Sequence, residues 1–248
     1  MIGRRTVVCG VLGLLGALVG PGAAGAAPVL EDSARVRAGE PMARAIVVLV
    51  VLTDPRRGAP GFPDGDAEAI AAELRRVYQV EVRRIAARPL PKSAYYAPRR
   101  RYRADTLLTH LAGEIPAELP ARTRIVGLTT SDISTSKDNF KDWGVFGLGE
   151  VGGTAAMVSN FRLKKKARDA AHATARVVNT AVHELGHVLG LDHCEEPNCV
   201  MLDAMGGISN TDASTGVPGP GCLAELDREV PLRPLSELLA RSASAPAQ

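Results

Sequence analysis

The chain has 248 residues, a formal net charge of +3, 46% hydrophobic residues and 4% aromatic residues. This length and this balance of apolar and charged residues are typical of a folded domain whose core is built from aliphatic side chains. Because the charge is small and dispersed, the composition excludes the basic surface of a nucleic-acid-binding protein, and we expect no nucleic-acid partner.

The first 27 residues have the three parts of a secretory signal peptide. Arg4 and Arg5 precede an apolar run at residues 7–19, and small residues follow at 23–27. The run is shorter than the roughly 20 residues that a membrane-spanning helix needs, so we expect no stable membrane anchor. The sequence predicts export to the periplasm or the medium, with the arginine pair as a twin-arginine signal or an ordinary basic segment.

Hydrophobic periodicity predicts alternating strands and helices after an N-terminal extension at 28–44. Asp64 or Asp66 is the expected N-cap of the first helix. The predicted elements are a buried central strand at 45–52, a helix at 67–78, a strand at 80–85, an irregular segment at 88–103, a helix at 105–114 and a strand at 124–129. This order favours an α/β layer in which helices pack on a mixed sheet.

The second half of the chain begins with a glycine-rich but strand-like segment at 143–159, which suits an exposed edge or a hairpin where another backbone approaches closely. A long apolar helical face follows at 169–191. The remaining predicted elements are a loop at 203–221, a last helix within 223–239 and a disordered tail at 241–248.

The most informative segment reads HELGHVLGLDH and begins at His183. Residues four apart lie on the same helical face, so His183 and His187 can bind one metal ion. Gly190 allows the helix to end and the chain to turn, so that His193 can supply a third nitrogen. Three nitrogen ligands leave a fourth tetrahedral position for water, as in catalytic zinc sites, and Glu184 is placed to act as general base.

The longer run from His183, HELGHVLGLDHCEEPNCVM, resembles the archaemetzincins, whose zinc motif continues into a Cys, a second Cys five residues on, and a Met two residues later. Cys194, Cys199 and Met201 stand at these places. The good match covers residues 139–201, and the N-terminal half agrees only in the order of its elements. The resemblance implies a zinc metallopeptidase of the metzincin type.

The same resemblance implies an α/β (α+β) fold with a mixed twisted sheet, packed helices, an active-site helix that carries HExxH, and a small C-terminal lobe. We therefore expect a catalytic domain at 45–240, with the sheet lobe ending near residue 193 and the C-terminal lobe at 194–240. By resemblance Met201 is the Met-turn residue, an apolar floor beneath the imidazoles, and Met205 is the other candidate.

The chain departs from the family at a second metal site, where archaemetzincins hold a structural zinc on four cysteines. Gly219 stands where the third of these cysteines is expected. The candidate ligands that remain are Cys194, Cys199 and Cys222. These thiolates bind a second zinc with help from Glu225 or Asp227, or two of them form a disulfide and one stays free.

The expected reaction is hydrolysis of a peptide bond in a peptide or protein substrate, with Zn²⁺ as cofactor and Glu184 moving the proton. Gly147 and Gly149 lie in a segment to which an extended substrate can add as an extra strand. The alternatives are a non-catalytic module that binds zinc and peptides, and a zinc amidase that acts on cell-wall peptide. The sequence makes no prediction about the oligomeric state.

Overall fold

The computed structural model describes residues 45–56, 58, 61–204 and 207–226. The predicted signal peptide, the N-terminal extension and the C-terminal tail lie outside these residues, as do Met205 and Asp227. Among the residues described, no helix combines the length and the apolar character needed to cross a membrane.

Ten β-strands and six α-helices are present in this part of the chain. The strands are β1 (Ile46–Thr53), β2 (Glu81–Arg84), β3 (Arg88–Pro89), β4 (Tyr95–Tyr96), β5 (Arg101–Arg103), β6 (Arg124–Thr129), β7 (Ile133–Lys137), β8 (Phe140–Val145), β9 (Gly147–Gly149) and β10 (Ala155–Ser159). The helices are α1 (Asp64–Tyr78), α2 (Ala104–Ala112), α3 (Asn160–Leu163), α4 (Ala170–Val188), α5 (Ser209–Ala213) and α6 (Pro220–Leu226).

Strand β1 lies inside a six-stranded mixed sheet in the order β2-β1-β6-β10-β9, and β3 pairs with the end of β1. Neighbouring strands are parallel except β9, which is antiparallel to β10. Successive side chains of β1 point to opposite faces, so Val47 and Leu49 join one hydrophobic cluster, whereas Val48 and Val50 join another. The prediction of a central strand at 45–52 is confirmed.

Helices cover both faces of this sheet, as the predicted α/β layer requires. Ile70 of α1 and Val177 and Ala181 of α4 are buried in the cluster on one face. Leu107 and Leu111 of α2 are buried in the cluster on the other. Because α4 packs against the sheet along its apolar stripe, the opposite stripe of the helix is free to carry polar groups toward a cleft.

A second, four-stranded mixed sheet has the order β4-β5-β7-β8. The prediction of irregular structure at 88–103 is wrong, because β3, β4 and β5 lie there with single turns of 3-10 helix at Lys92–Ala94 and Ala97–Arg99. Strand β7, which pairs with β5, is also absent from the prediction. Strands of two or three residues are too short to show a period, and their pairing partner is distant in the chain.

The start of α1 also differs from the prediction, because Pro63 is its N-cap and no side chain caps the helix. The carboxylates of the two predicted caps bind elsewhere. Asp64 lies 2.6 Å from the Arg84 guanidinium, and Asp66 accepts a hydrogen bond from the Thr174 hydroxyl at 2.6 Å. Tertiary contacts therefore take the groups that local capping would use.

The predicted loop at 203–221 contains helix α5 and the first two residues of α6. Helix α5 is joined to α4 by Arg176, whose buried guanidinium donates to both oxygens of Asp212 at 2.6 and 2.7 Å. A five-residue helix in a Gly/Ser/Thr-rich segment is not stable on its own, so this long-range ion pair stabilises it. The predicted last helix is described only as far as Leu226, and the rest of it lies outside the described residues.

Candidate active site and thiol cluster

Helix α4 confirms the predicted long helix, and it ends where the metal-ligand motif requires a turn. The helix spans Ala170–Val188. Gly190 then takes a φ of +107°, a conformation that favours glycine, and the Leu191 N–H donates to the Gly186 carbonyl at 3.0 Å. This C-terminal turn reverses the chain and brings His193 back toward the histidines on the helix.

The three predicted ligands meet at their Nε2 atoms. His187 Nε2 lies 3.0 Å from His183 Nε2 and 3.2 Å from His193 Nε2. His183 Nδ1 lies 2.6 Å from the Val200 carbonyl oxygen, and His187 Nδ1 lies 2.8 Å from that of Leu191. Because a carbonyl oxygen only accepts, each Nδ1 carries the proton and donates it, which leaves the Nε2 lone pairs directed at one point.

These distances fit a zinc ion. Two nitrogens on a tetrahedral zinc are about 3.3 Å apart when each Zn–N bond is 2.0–2.1 Å. Burial, reinforced by the neighbouring His187, lowers the pKa of His183 to about 4, and burial also lowers the pKa of His187. Both imidazoles are therefore neutral at pH 7, which is the form that binds a metal ion.

Glu184 lies beside the ligands and is 7% exposed. Burial raises the pKa of its carboxyl to about 8, while a hydrogen bond from the Gly149 backbone acts in the opposite direction. A Cβ at Gly147 would lie 2.5 Å from Glu184 Cγ, and one at Gly149 would overlap the Glu184 carbonyl oxygen. Glycine at these positions therefore lets β9 approach α4 closely. The other backbone that was expected near this glycine-rich segment is that of the active-site helix.

Strand β9 is the last strand of the six-stranded sheet in the described part of the chain. The Ser159 N–H donates to the Phe146 carbonyl at 2.9 Å, so by antiparallel alternation the backbone groups of Gly147 and Gly149 face away from β10. A cavity of about 410 Å³ lies along this edge. Residues that line it include His183, Glu184, His193, Gly147, Trp143 and Arg162.

Met201 is fully buried below α4, on the side of Gly186. A Cβ at Gly186 would lie 2.5 Å from Met201 Sδ and 2.8 Å from Tyr78 Oη. The Tyr78 hydroxyl in turn donates to the Val182 carbonyl at 2.7 Å. Met201 was predicted from the sequence and Tyr78 was not, because the signal for Tyr78 is only a tyrosine on the apolar face of α1. Met205, the other candidate, lies outside the described residues.

The three cysteines named from the sequence form a cluster of free thiols whose sulfurs all lie within 4.8 Å of one another. Cys199 Sγ and Cys222 Sγ are 3.8 Å apart, far beyond the roughly 2.05 Å of a disulfide bond. Two sulfurs on a tetrahedral zinc are also about 3.8 Å apart. Hydrogen bonds from the Cys222 thiol and from the Gly219 and Met201 backbones lower the pKa of Cys199 to about 5.

Of the two carboxylates that the sequence suggested as a fourth ligand, Glu225 does not belong to the group of metal-ligating side chains formed by the three cysteines. Glu225 is exposed, and Asp227 lies outside the described residues. Glu196 was not predicted from the sequence, and its carboxylate accepts a hydrogen bond from the Gly221 N–H at 2.9 Å next to the cysteines. Its signal was its place between the first two cysteines, Cys194 and Cys199.

Comparison with known proteins agrees with this geometry. The sequence model of peptidase family M54 matches residues 80–228. The archaemetzincin of Archaeoglobus fulgidus is 38% identical over 134 residues, which are 54% of this chain and 74% of the relative. The archaemetzincin of Haloquadratum walsbyi is 31% identical over 152 residues, which are 56% of this chain and 82% of the relative.

Two crystal structures of archaemetzincins resemble the fold. That from Archaeoglobus fulgidus has a TM-score of 0.57 and 30% identity, and the match covers 73% of this chain and 99% of that chain. That from Methanopyrus kandleri has a TM-score of 0.61 and 29% identity, and the match covers 77% of this chain and 97% of that chain. The chain therefore belongs to peptidase family M54, the archaemetzincins, and is a zinc metallopeptidase.

Proposed function

We propose that this metallopeptidase hydrolyses peptide bonds in extended peptide or protein substrates, with zinc on His183, His187 and His193 and with Glu184 as general base. The observation that carries the proposal is the buried Glu184 carboxyl beside three converging imidazole nitrogens at an open cavity. A module that only binds zinc does not need a buried carboxylate that is not a ligand, so this residue argues for catalysis.

The proposed role of Glu184 is to move one proton twice. When bound, zinc supplies a Lewis acid that lowers the pKa of water from about 16 to about 7 and polarises a carbonyl group. The Glu184 carboxylate accepts the proton of the attacking water, and its burial increases its affinity for that proton. The protonated carboxyl then donates that proton to the nitrogen of the leaving amine.

We propose that the substrate lies along β9 as an additional strand. The position of β9 at the edge of the sheet in the described part of the chain and the outward main-chain groups of Gly147 support this placement, whereas the Gly149 N–H already donates to Glu184. Peptides with a single N-methylated amide next to the scissile bond test it. If one main-chain hydrogen bond of about 1 kcal/mol is lost, kcat/KM falls about fivefold relative to the parent peptide. Unchanged kinetics for every N-methylated position would remove the strand-addition proposal.

We also propose a second, structural zinc at Cys194, Cys199 and Cys222. The support is the 3.8 Å separation of two of the sulfurs, which matches the edge of a tetrahedral zinc–thiolate site. Metal analysis of the purified chain tests this proposal. We expect two zinc ions per chain in wild type and one in Cys222→Ser, whereas one zinc ion in both proteins would contradict a thiolate site.

Export through the N-terminal 27 residues is also a proposal, and it depends on the sequence alone. Cell fractionation with N-terminal sequencing tests it. We expect a mature chain that begins after Ala26 or Ala27, found outside the cytoplasm. A full-length cytoplasmic chain with an intact N-terminus would contradict export.

The catalytic proposal is tested with Glu184→Gln, which removes the base but keeps the size of the side chain. We expect peptide cleavage to fall by about 10²- to 10⁴-fold while the zinc content stays unchanged. Glu118→Gln, at an exposed site, is the control and should behave as wild type.

A peptide library and isolated cell wall are digested side by side, because release of fragments from cell wall alone would indicate an amidase.

A further inference from the structure

The thiol cluster has three sulfurs, all within 4.8 Å of one another, and no fourth metal-ligating side chain belongs to the same group among the described residues. The sulfurs come from Cys194, Cys199 and Cys222. A side chain at Gly219 would start 3.5 Å from Cys199 Cβ, so this position borders the cluster, but glycine provides no ligand there. Structural zinc sites use four protein ligands, so three thiolates leave the coordination incomplete.

The space that a side chain at residue 219 would occupy is taken by another residue. A Cβ built on Gly219 would overlap Glu196 Oε2, so the carboxylate lies where that side chain would begin. The other oxygen, Oε1, accepts the Gly221 N–H at 2.9 Å, and the Glu196 backbone N–H is directed at the Cys194 sulfur. The main chain of Glu196 is therefore held beside the Cys194 sulfur. To bind a metal ion at the three sulfurs, its carboxylate would turn toward them by side-chain rotation.

The charges also agree with a carboxylate at this place. Three thiolates and one carboxylate on Zn²⁺ give a formal charge of −2, the same as four thiolates. Backbone N–H groups that offset such a charge are present, since those of Gly219 and Met201 donate to Cys199 Sγ at 3.0 and 3.3 Å. Zinc accepts carboxylate oxygen as a ligand at about 2.0–2.2 Å.

We propose that Glu196 is the fourth ligand of the structural zinc, in place of the side chain that is missing at Gly219. This inference rests on the proposed second zinc, and it names a ligand that the spacing of the cysteines does not indicate. The segment from Cys194 to Cys199 thereby supplies three of the four ligands, and α6 supplies Cys222.

The test uses zinc affinity and the spectrum of the Co²⁺-substituted full-length chain, with Glu196→Ala as the first variant. We expect the zinc affinity of the thiol site to fall tenfold or more, while zinc at the histidines is retained. Glu195→Ala, the exposed neighbouring carboxylate, is the matched control and should bind two zinc ions as wild type does.

A rescue variant distinguishes between two roles of Glu196, that of a zinc ligand and that of a residue that only holds the loop in place. In Glu196→Ala/Gly219→Cys the space is open for a fourth cysteine, so zinc affinity should return and the thiolate-to-cobalt charge-transfer band should gain intensity. Gly219→Cys alone should gain less, because its side chain overlaps Glu196. Wild-type affinity in Glu196→Ala would overturn the Glu196 proposal alone, whereas wild type with no thiol-bound zinc would overturn the second zinc as well.

Discussion

The histidine centre and the thiol cluster differ in how the chain assembles them. The histidines come from one helix and the turn that follows it, and carbonyl oxygens hold two of the rings by their Nδ1 protons. The thiols come from a loop and from α6, with Cys199 and Cys222 23 residues apart in the chain. A site built on one helix is preorganised, whereas a site that joins distant segments depends more on the metal to hold it.

The two centres also differ in what completes them. The histidines face a cavity through which water and substrate would reach a metal ion held there, and Glu184 lines the same cavity. At the thiols, Cys199 and Cys222 are buried, and Glu196 occupies the space next to them. An open metal site permits catalysis, whereas a closed one stabilises the fold. Changes near the histidines should therefore affect peptide cleavage, and changes near the thiols should affect stability.

Among changes outside the metal-binding side chains and Glu184 itself, the largest effect is expected from Gly147→Ala, which acts on the position of the base and on neither metal. Its Cβ would lie 2.5 Å from Glu184 Cγ, so the carboxylate must move. We expect kcat/KM for peptide cleavage to fall about 10²-fold with both zinc ions retained, because a displacement near 1 Å has this cost. Gly65→Ala has open space and should cleave normally. Full activity in Gly147→Ala would show that Glu184 need not hold its place.

A smaller effect is expected from Gly190→Ala, which acts on the histidine centre only. Its φ of +107° strains any L side chain by about 1–2 kcal/mol, and relief of the strain moves His193. Zinc affinity at the histidines should fall about tenfold, measured by chelator competition. The thiol zinc and the Gly61→Ala control should be unaffected. Equal weakening at both centres would contradict their independence.

The smallest effect is expected from Asp212→Asn, which leaves both metal centres intact. The buried Arg176 loses its charged partner, and we expect the free energy of unfolding at pH 7 to fall by about 1 kcal/mol, since Asp212 is partly exposed. The hydrogen bond from Arg176 lowers the pKa of Asp212 to about 2.

The pH dependence of this pair gives a second measurement. Because the native pKa of Asp212 is below the unfolded value of about 3.9, the unfolded state binds more protons between them. The stability that the pair contributes is therefore present above about pH 4 and is lost as pH falls toward 2. Urea unfolding of wild type and Asp212→Asn should converge over that interval, and a constant difference would contradict the assignment.

The elements and residues that the sequence predicts are those whose contacts are local in the chain, and those that depend on distant contacts were not predicted. The central strand β1, helix α4 and the convergence of the histidines were predicted, because period and motif lie within a few turns of chain. Strands β3 to β5, strand β7 and helix α5 were not predicted, because distant partners such as Arg176 stabilise them. Glu196 was missed for the same reason, since only the fold places it against Gly219.

The central claim is that the converging histidine nitrogens hold zinc beside an uncoordinated Glu184. Anomalous diffraction at the zinc absorption edge from crystals of the purified chain tests it directly. We expect a peak bonded to the Nε2 atoms of His183, His187 and His193, with the Glu184 carboxylate outside bonding distance. Zinc present in the crystals with no peak among these nitrogens, or a peak ligated by Glu184, would contradict the account.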